Sequence, residues 1–375
     1  MRLRPLSAQV CVLAIATATG WAAGLPAEAH ANGTWNPKAA ATYLDRRAGW
    51  WVKWPGAARD HETFCLSCHT AVAYSIARPK LRAVLGEATP SENENRIVQN
   101  AIKRVHLWKE IKPYYGGGNT SRSRGTEAVL NALILSTRDA NPSKLSDDAR
   151  AAFENMWALQ LSGRESQGAW EWIQFNNEPW EAHDSQYYGA ALAAVAVGNT
   201  PESYRAAPEI QHHLRLLSEY LNREFAAQSP INQAVVLWAG AHWPELLTSE
   251  RRRALVHSLM SRQLADGGWS LDSLVWTWRD WSFITLSKLF VHGEATPLRP
   301  KSEGYATGLV TFALQQSGIR QDDPGIQRAR AWLVRNETDG RWPAHSPNGK
   351  RDHAEGEGLF MDDAATAYAV MALAQ

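Results

Sequence analysis

The sequence predicts an all-α protein: an array of about five helix pairs, preceded by a short helical segment that carries Cys65-Leu66-Ser67-Cys68-His69. Three observations point there. Helices with one apolar stripe alternate with helices that are rich in small residues and apolar nearly all round, at a spacing of tens of residues. Glycine–tryptophan turns recur behind the one-faced helices. No segment gives a convincing strand run.

The N-terminus reads as an export signal. Arg2 and Arg4 precede a mildly apolar run from Val10 to Ala23, and Ala29-His30-Ala31 fits the small-residue pattern of a cleavage site. Residues 1–31 are therefore expected to be removed after Ala31, and the run is too short for the ~20 residues of a membrane span. No later segment is long and apolar enough either. The expectation is a periplasmic or secreted protein with no transmembrane anchor. Lys+Arg total 39 and Asp+Glu 38 in the full chain, so the charge is balanced and nucleic acid is not an expected partner.

Cys11 lies inside the signal, which leaves Cys65 and Cys68 as the only cysteines of the mature chain. A zinc site built on them would need two more ligands, and no second cysteine pair exists. A thioredoxin-like dithiol would follow a strand, whereas these flanks read as loop and then helix. A plain disulfide is open to an exported chain. The adjacent His69 favours covalent c-type haem: two thiols spaced by two residues can add to two vinyl groups, and the next residue offers an imidazole to the iron. Haem c is thus the expected cofactor, bound through Cys65, Cys68 and His69 in a segment spanning 32–94. Met156 and His106 are candidates for the distal ligand, with His61 and His183 as further possibilities.

Residues 95–375 carry the array. GTEAVLNALILS (125–136) is the first all-round apolar helix. Ser146-Asp147-Asp148 caps a one-faced helix whose stripe is Ala149, Ala152, Phe153, Met156 and Trp157. HDSQYYGAALAAVAVG (183–198) is again apolar all round. Thr248-Ser249 opens a one-faced helix with Leu255 and Leu259, and Asp323-Pro324 another with proline at the first helical position. Residues 303–318 and 362–375 are two more small-rich helices, aligned with each other at a spacing of 59.

Gln263-Leu264-Ala265-Asp266-Gly267-Gly268-Trp269 is a Q-x-x-x-G-x-W turn. Asn336 to Trp342 keeps the frame with Asn for Gln, and Gly168-Ala169-Trp170 keeps its end with Arg164 in the Gln position. Glycine permits the turn, tryptophan covers the junction, and the amide can satisfy free backbone groups. With these turns and small-rich helices, residues 95–375 resemble the squalene–hopene cyclase and prenyltransferase superfamily. The resemblance implies an α/α toroid, a double ring of helices around a cavity, and an apolar or isoprenoid ligand within it.

The superfamily's chemistries are tested by single residues. The cyclases protonate a polyene with the first acid of D-x-D-D; this chain has Phe360-Met361-Asp362-Asp363, with phenylalanine in that position. Asp362 and Asp363 are the remaining catalytic candidates, and both also suit the first turn of the last helix. The prenyltransferases bind zinc through Asp, Cys and His, and both cysteines here belong to the haem motif. The reading is a mono-haem protein of electron transfer or redox chemistry with an unknown redox partner. Its rivals are a non-catalytic haem-containing binding module for a lipid or protein, and an isoprenoid cyclase-like enzyme. If the protein is an enzyme, a haem-dependent oxidoreductase is expected ahead of a cyclase. Trp-rich insertions at 171–184 and 270–300 and a polar loop at 345–358 are expected at the mouth of the ring.

Overall fold

The structure is a computed structural model and describes residues 34–138, 144–163, 165–275, 298–349 and 351–375. The expected export signal at residues 1–31, Arg164 and the Trp276–Arg279–Trp281 cluster lie outside the described residues. Among those described there are fourteen helices: α1 (Pro37–Trp51), α2 (Ala71–Leu85), α3 (Glu92–His106), α4 (Thr120–Arg138), α5 (Asp147–Ala158), α6 (Ser185–Gly198), α7 (Glu202–Arg205), α8 (Gln211–Glu224), α9 (Pro230–His242), α10 (Ser249–Met260), α11 (Leu271–Val275), α12 (Gly304–Gln316), α13 (Pro324–Arg335) and α14 (Phe360–Leu373). The all-α class is as the sequence predicts. One short ladder departs from it: β1 (Ala58–Arg59) pairs antiparallel with β2 (Thr63–Phe64) just before the cysteine motif.

The caps read from sequence act as expected. Ser146 accepts from the Ala149 amide, Thr248 from Arg251, and Asp323 from Gly325 and Ile326. The stripe of α5 is buried, while α4, α6, α9, α12 and α14 are buried nearly all round. Such helices are enclosed by their neighbours. Their packing runs α2 on α4, α4 on α6, α6 on α9, α9 on α12, α12 on α14, and α14 back on α2. Helices α1, α3, α5, α8, α10 and α13 each pack on one or two of these. One hydrophobic core runs from Ala40 to Leu373, so the segment bearing the cysteines shares its core with residues 95–375.

Small residues set the closest approach. At Gly308 a Cβ would stand 2.6 Å from the Ala369 nitrogen, so α12 and α14 meet backbone to backbone there. The tryptophan turns lock outer helices to inner ones. Trp269, Trp342 and Trp170 are fully buried, and their indoles donate to Leu259 O (2.8 Å), Leu333 O (2.7 Å) and Met156 O (2.6 Å) near the ends of α10, α13 and α5. Gln263 donates to Gly267 O and Gly325 O, Asn336 to Trp332 O. In the third turn it is Gln160 that donates to Gly168 O, four residues ahead of the expected position.

Glu303 caps α12, accepting from the Tyr305 and Ala306 amides, and is almost completely buried. Burial pushes its carboxyl from 4.5 up to about 7. Folding therefore favours the protonated form. The stability it contributes is complete below pH 4.5 and is lost as pH rises through about 7, a change on the order of 3 kcal/mol. Glu303→Gln keeps an acceptor at the cap and should flatten urea stability between pH 5 and 8. Parallel slopes for the two proteins would contradict this.

Candidate functional site

The cysteine motif sits on a loop pinned from three sides. The Cys65 amide donates to Ala57 O (2.8 Å) across the short ladder, and the Trp51 indole donates to Cys65 O (2.8 Å). Asn100 of α3 pairs with both backbone groups of Phe64, as a neighbouring strand would. Ser67 Oγ accepts from the Thr70 and Ala71 amides and so starts α2. Nearby, Arg104 and Glu127 form a fully buried pair at 2.5 Å, and Arg104 also donates to Thr63. The motif is thus presented by rigid elements rather than a free tail.

Cys65 is buried and Cys68 partly so. Burial pushes Cys65 up to about 12 and Cys68 well above its ordinary value. A nucleophilic dithiol needs the opposite shift. A thioether is neutral and suits the same apolar surroundings. Among the described residues, no group of three or more His, Cys, Asp or Glu is arranged to hold a bare metal ion. The donor set at the motif is two thiols and one imidazole.

His69 is the centre of the site. Its ring stacks on Phe360 (3.7 Å between centroids), with Trp51 edge-on at 5.1 Å and Trp180 at 5.7 Å. Burial, helped by Arg47, lowers its pKa to about 3, so the imidazole is neutral. Its Nδ1 lies 2.8 Å from Thr70 Oγ1, and the Thr70 hydroxyl donates to Asp363 Oδ2 at 2.7 Å. Asp363 also accepts from Tyr43 OH (2.9 Å) and from Arg47 through Nε (2.7 Å) and Nη2 (2.9 Å). Burial raises the Asp363 carboxyl above its ordinary value, against the pull of these donors. Arg47 donates to both of its oxygens, which is the pattern a carboxylate fits.

A proton count then assigns the histidine tautomer. The single Thr70 hydroxyl proton goes to Asp363, so Thr70 Oγ1 can only accept from His69. The proton must sit on His69 Nδ1, which leaves the Nε2 lone pair for a metal.

A cavity of about 280 Å³ opens beside this ring. Cys65, His69 and Trp51 line it, with Phe175, Asn177 and Trp180 from the 171–184 insertion and Ser346, Asn348 and Arg351 from the 345–358 loop. Residues of both segments thus reach the same cavity. Asn348 clamps one to the other through the Glu178 amide and carbonyl. Behind the cavity, Trp180 donates to Tyr305 OH (3.1 Å), and Tyr305 packs edge-on against Tyr368 (5.4 Å).

The other candidates fall elsewhere. Met156 is buried in the outer helix α5, and His106 is exposed and paired with Asp148 at 2.8 Å. His61 and His183 are exposed, and none of the four lines the cavity. Met361 does line it, a thioether the sequence reading did not single out. Asp362 accepts from Arg341, His353 and the Ala344 amide. Neither acid of the last helix stands free to protonate an alkene. Compared with protein-family models and with curated proteins, the chain finds no match in either.

Proposed function

We propose that the chain is an exported mono-haem c-type protein of electron transfer or redox chemistry, carried on a closed α/α toroid. In this reading α2, α4, α6, α9, α12 and α14 form the inner ring and α1, α3, α5, α8, α10 and α13 the outer. That is six pairs, because the helix that follows the cysteine motif is itself an inner one. The observation that carries the proposal is the His69–Thr70–Asp363 relay. It leaves the imidazole neutral, oriented and unprotonated at Nε2, the form an iron ligand requires. Cys65 and Cys68 hold the group as neutral thioethers. The haem, when bound, supplies one-electron chemistry. The chain's own residues orient the ligand, exclude water with Trp51, Trp180 and Phe360, and set the electron density on His69 through Asp363.

The test is periplasmic expression with an active haem-attachment system. Wild-type protein should hold one haem per chain through a denaturing gel, and Cys65→Ser with Cys68→Ser should hold none. Thr70→Val cuts the relay at constant volume. It should raise the reduction potential by a tenfold or larger change in the equilibrium constant, about 59 mV for one electron, because His69 loses its link to a carboxylate. Wild type without covalent haem would end the proposal. A normal haem with an unmoved potential in Thr70→Val would end the relay alone.

A further inference from the structure

At the far end of the inner helices from His69 lies a second and larger cavity, of about 720 Å³. It is lined from the C-terminal halves of all six: Lys80 from α2, Thr137 from α4, Gly198 from α6, Trp238 from α9, Phe312 from α12 and Met371 from α14. The size lies within the usual range for small-molecule sites, and the wall mixes aromatic and aliphatic surface with a few polar groups.

Nearly every polar side chain of that wall is already satisfied. Ser136 donates to Leu133 O, Asn199 to Thr137 and Thr200 to Val197 O. His242 and Gln316 pair at 3.0 Å, and Gln316 reaches on to Gln375. Arg205 donates to the Gly198 and Thr200 carbonyls, and Arg330 covers those of Ala372 and Leu373. The carbonyl ends of α6 and α14 therefore have their own cations. Lys80 is the exception. It is partly buried, its ammonium lies 5.8 Å from the Phe312 ring centre, and it makes no ion pair among the described residues. The rim acid Glu202 is exposed and is not paired with it.

We infer that this cavity is a binding site for an amphipathic organic monoanion, with its charged head on Lys80 and its apolar body against Trp238, Phe312 and Met371. A single charge is indicated because Arg205 is engaged with backbone carbonyls and His242 is kept neutral. Burial lowers both Lys80 and His242, so the lysine has lost water without gaining a counter-ion among the described residues. An anion there replaces the missing hydration. The aromatic wall adds apolar burial that a small inorganic ion would not use. The site is at the opposite end of the inner helices from His69 and does not depend on the haem proposal.

The probe is octanoate against octan-1-ol, titrated calorimetrically into the mature protein as purified. Octanoate is expected to bind at least tenfold tighter than the alcohol. Lys80→Met should bring octanoate down to the alcohol's level, and Lys80→Arg should keep affinity within a few-fold. Absence of octanoate binding, equal affinity for acid and alcohol in the wild type, or full octanoate affinity in Lys80→Met would each overturn the inference. The wild-type comparison decides the matter even if Lys80→Met fails to fold.

Discussion

Asp363→Leu is expected to destabilise the protein by about 3–5 kcal/mol, the cost of leaving one partner of a buried ion pair alone. Arg47 is 4% exposed and directs two donors at Asp363. Its other polar contact is Gly356 O, and its guanidinium lies over the Trp50 ring at 4.4 Å, so it cannot turn to water without giving up both. Tyr43 and Thr70 lose their acceptor in the same change. The double variant Arg47→Met with Asp363→Leu should recover a large part of the loss, because two apolar side chains replace two charges. A urea titration of the four proteins of the cycle measures this. A loss below 1 kcal/mol in Asp363→Leu, or no coupling between the two positions, would refute the network as drawn.

That experiment also separates two readings of the last helix. As an acid of a cyclase-like motif, Asp363 would be dispensable for folding and required for turnover. As the anchor of Arg47, Tyr43 and Thr70, it holds α14 to α1 and to the start of α2. The hydrogen bonds favour the second role, and Thr70 extends it to His69.

The fold was legible where local chemistry decides it. The one-faced helices announced themselves by a cap, a stripe and a glycine turn, and α5, α10 and α13 begin where those caps stand. The small-rich helices were legible because burial on all sides leaves little room for long polar side chains. Helix α4 starts at Thr120, ahead of its apolar run, and in this first part Ser123 is buried and accepts from the Tyr115 amide. Helix α9 was not singled out, although Ser229-Pro230 before an apolar run is a start signal of the same kind as Asp323-Pro324. The site was legible only as its motif. Thr70 and Asp363 stand 293 residues apart, and Arg47 and Asp363 316 apart. No spacing in the chain relates them. They meet because α14 packs on both α1 and α2.

Trp269→Ala should cost a further 3–5 kcal/mol in an otherwise separate part of the molecule, as removal of a fully buried tryptophan does. The indole is completely enclosed, and its N–H satisfies Leu259 O near the end of α10. Its backbone is held by Thr307 of α12, whose hydroxyl faces the Trp269 amide at 3.0 Å. Truncation therefore opens a large cavity and removes one of the two hydrogen bonds to Leu259 O, where the turn after α10 meets α12. Trp269→Phe keeps most of the volume and loses only the indole hydrogen bond, while Leu259 O keeps the Arg262 amide, so about 0.5–1.5 kcal/mol is expected. Gln263→Ala leaves the Gly267 and Gly325 carbonyls without their amide and should fall in the same range, although its side chain lies nearer the surface. The order Ala at 269 well below Phe at 269, in midpoint of urea unfolding, follows from packing rather than from the cap. A Trp269→Ala protein within 1 kcal/mol of wild type would mean that the turn does not join the two layers. Because Trp269 shares no hydrogen-bond partner with the Arg47–Asp363 pair, its loss should add to that of Asp363→Leu within about 0.5 kcal/mol.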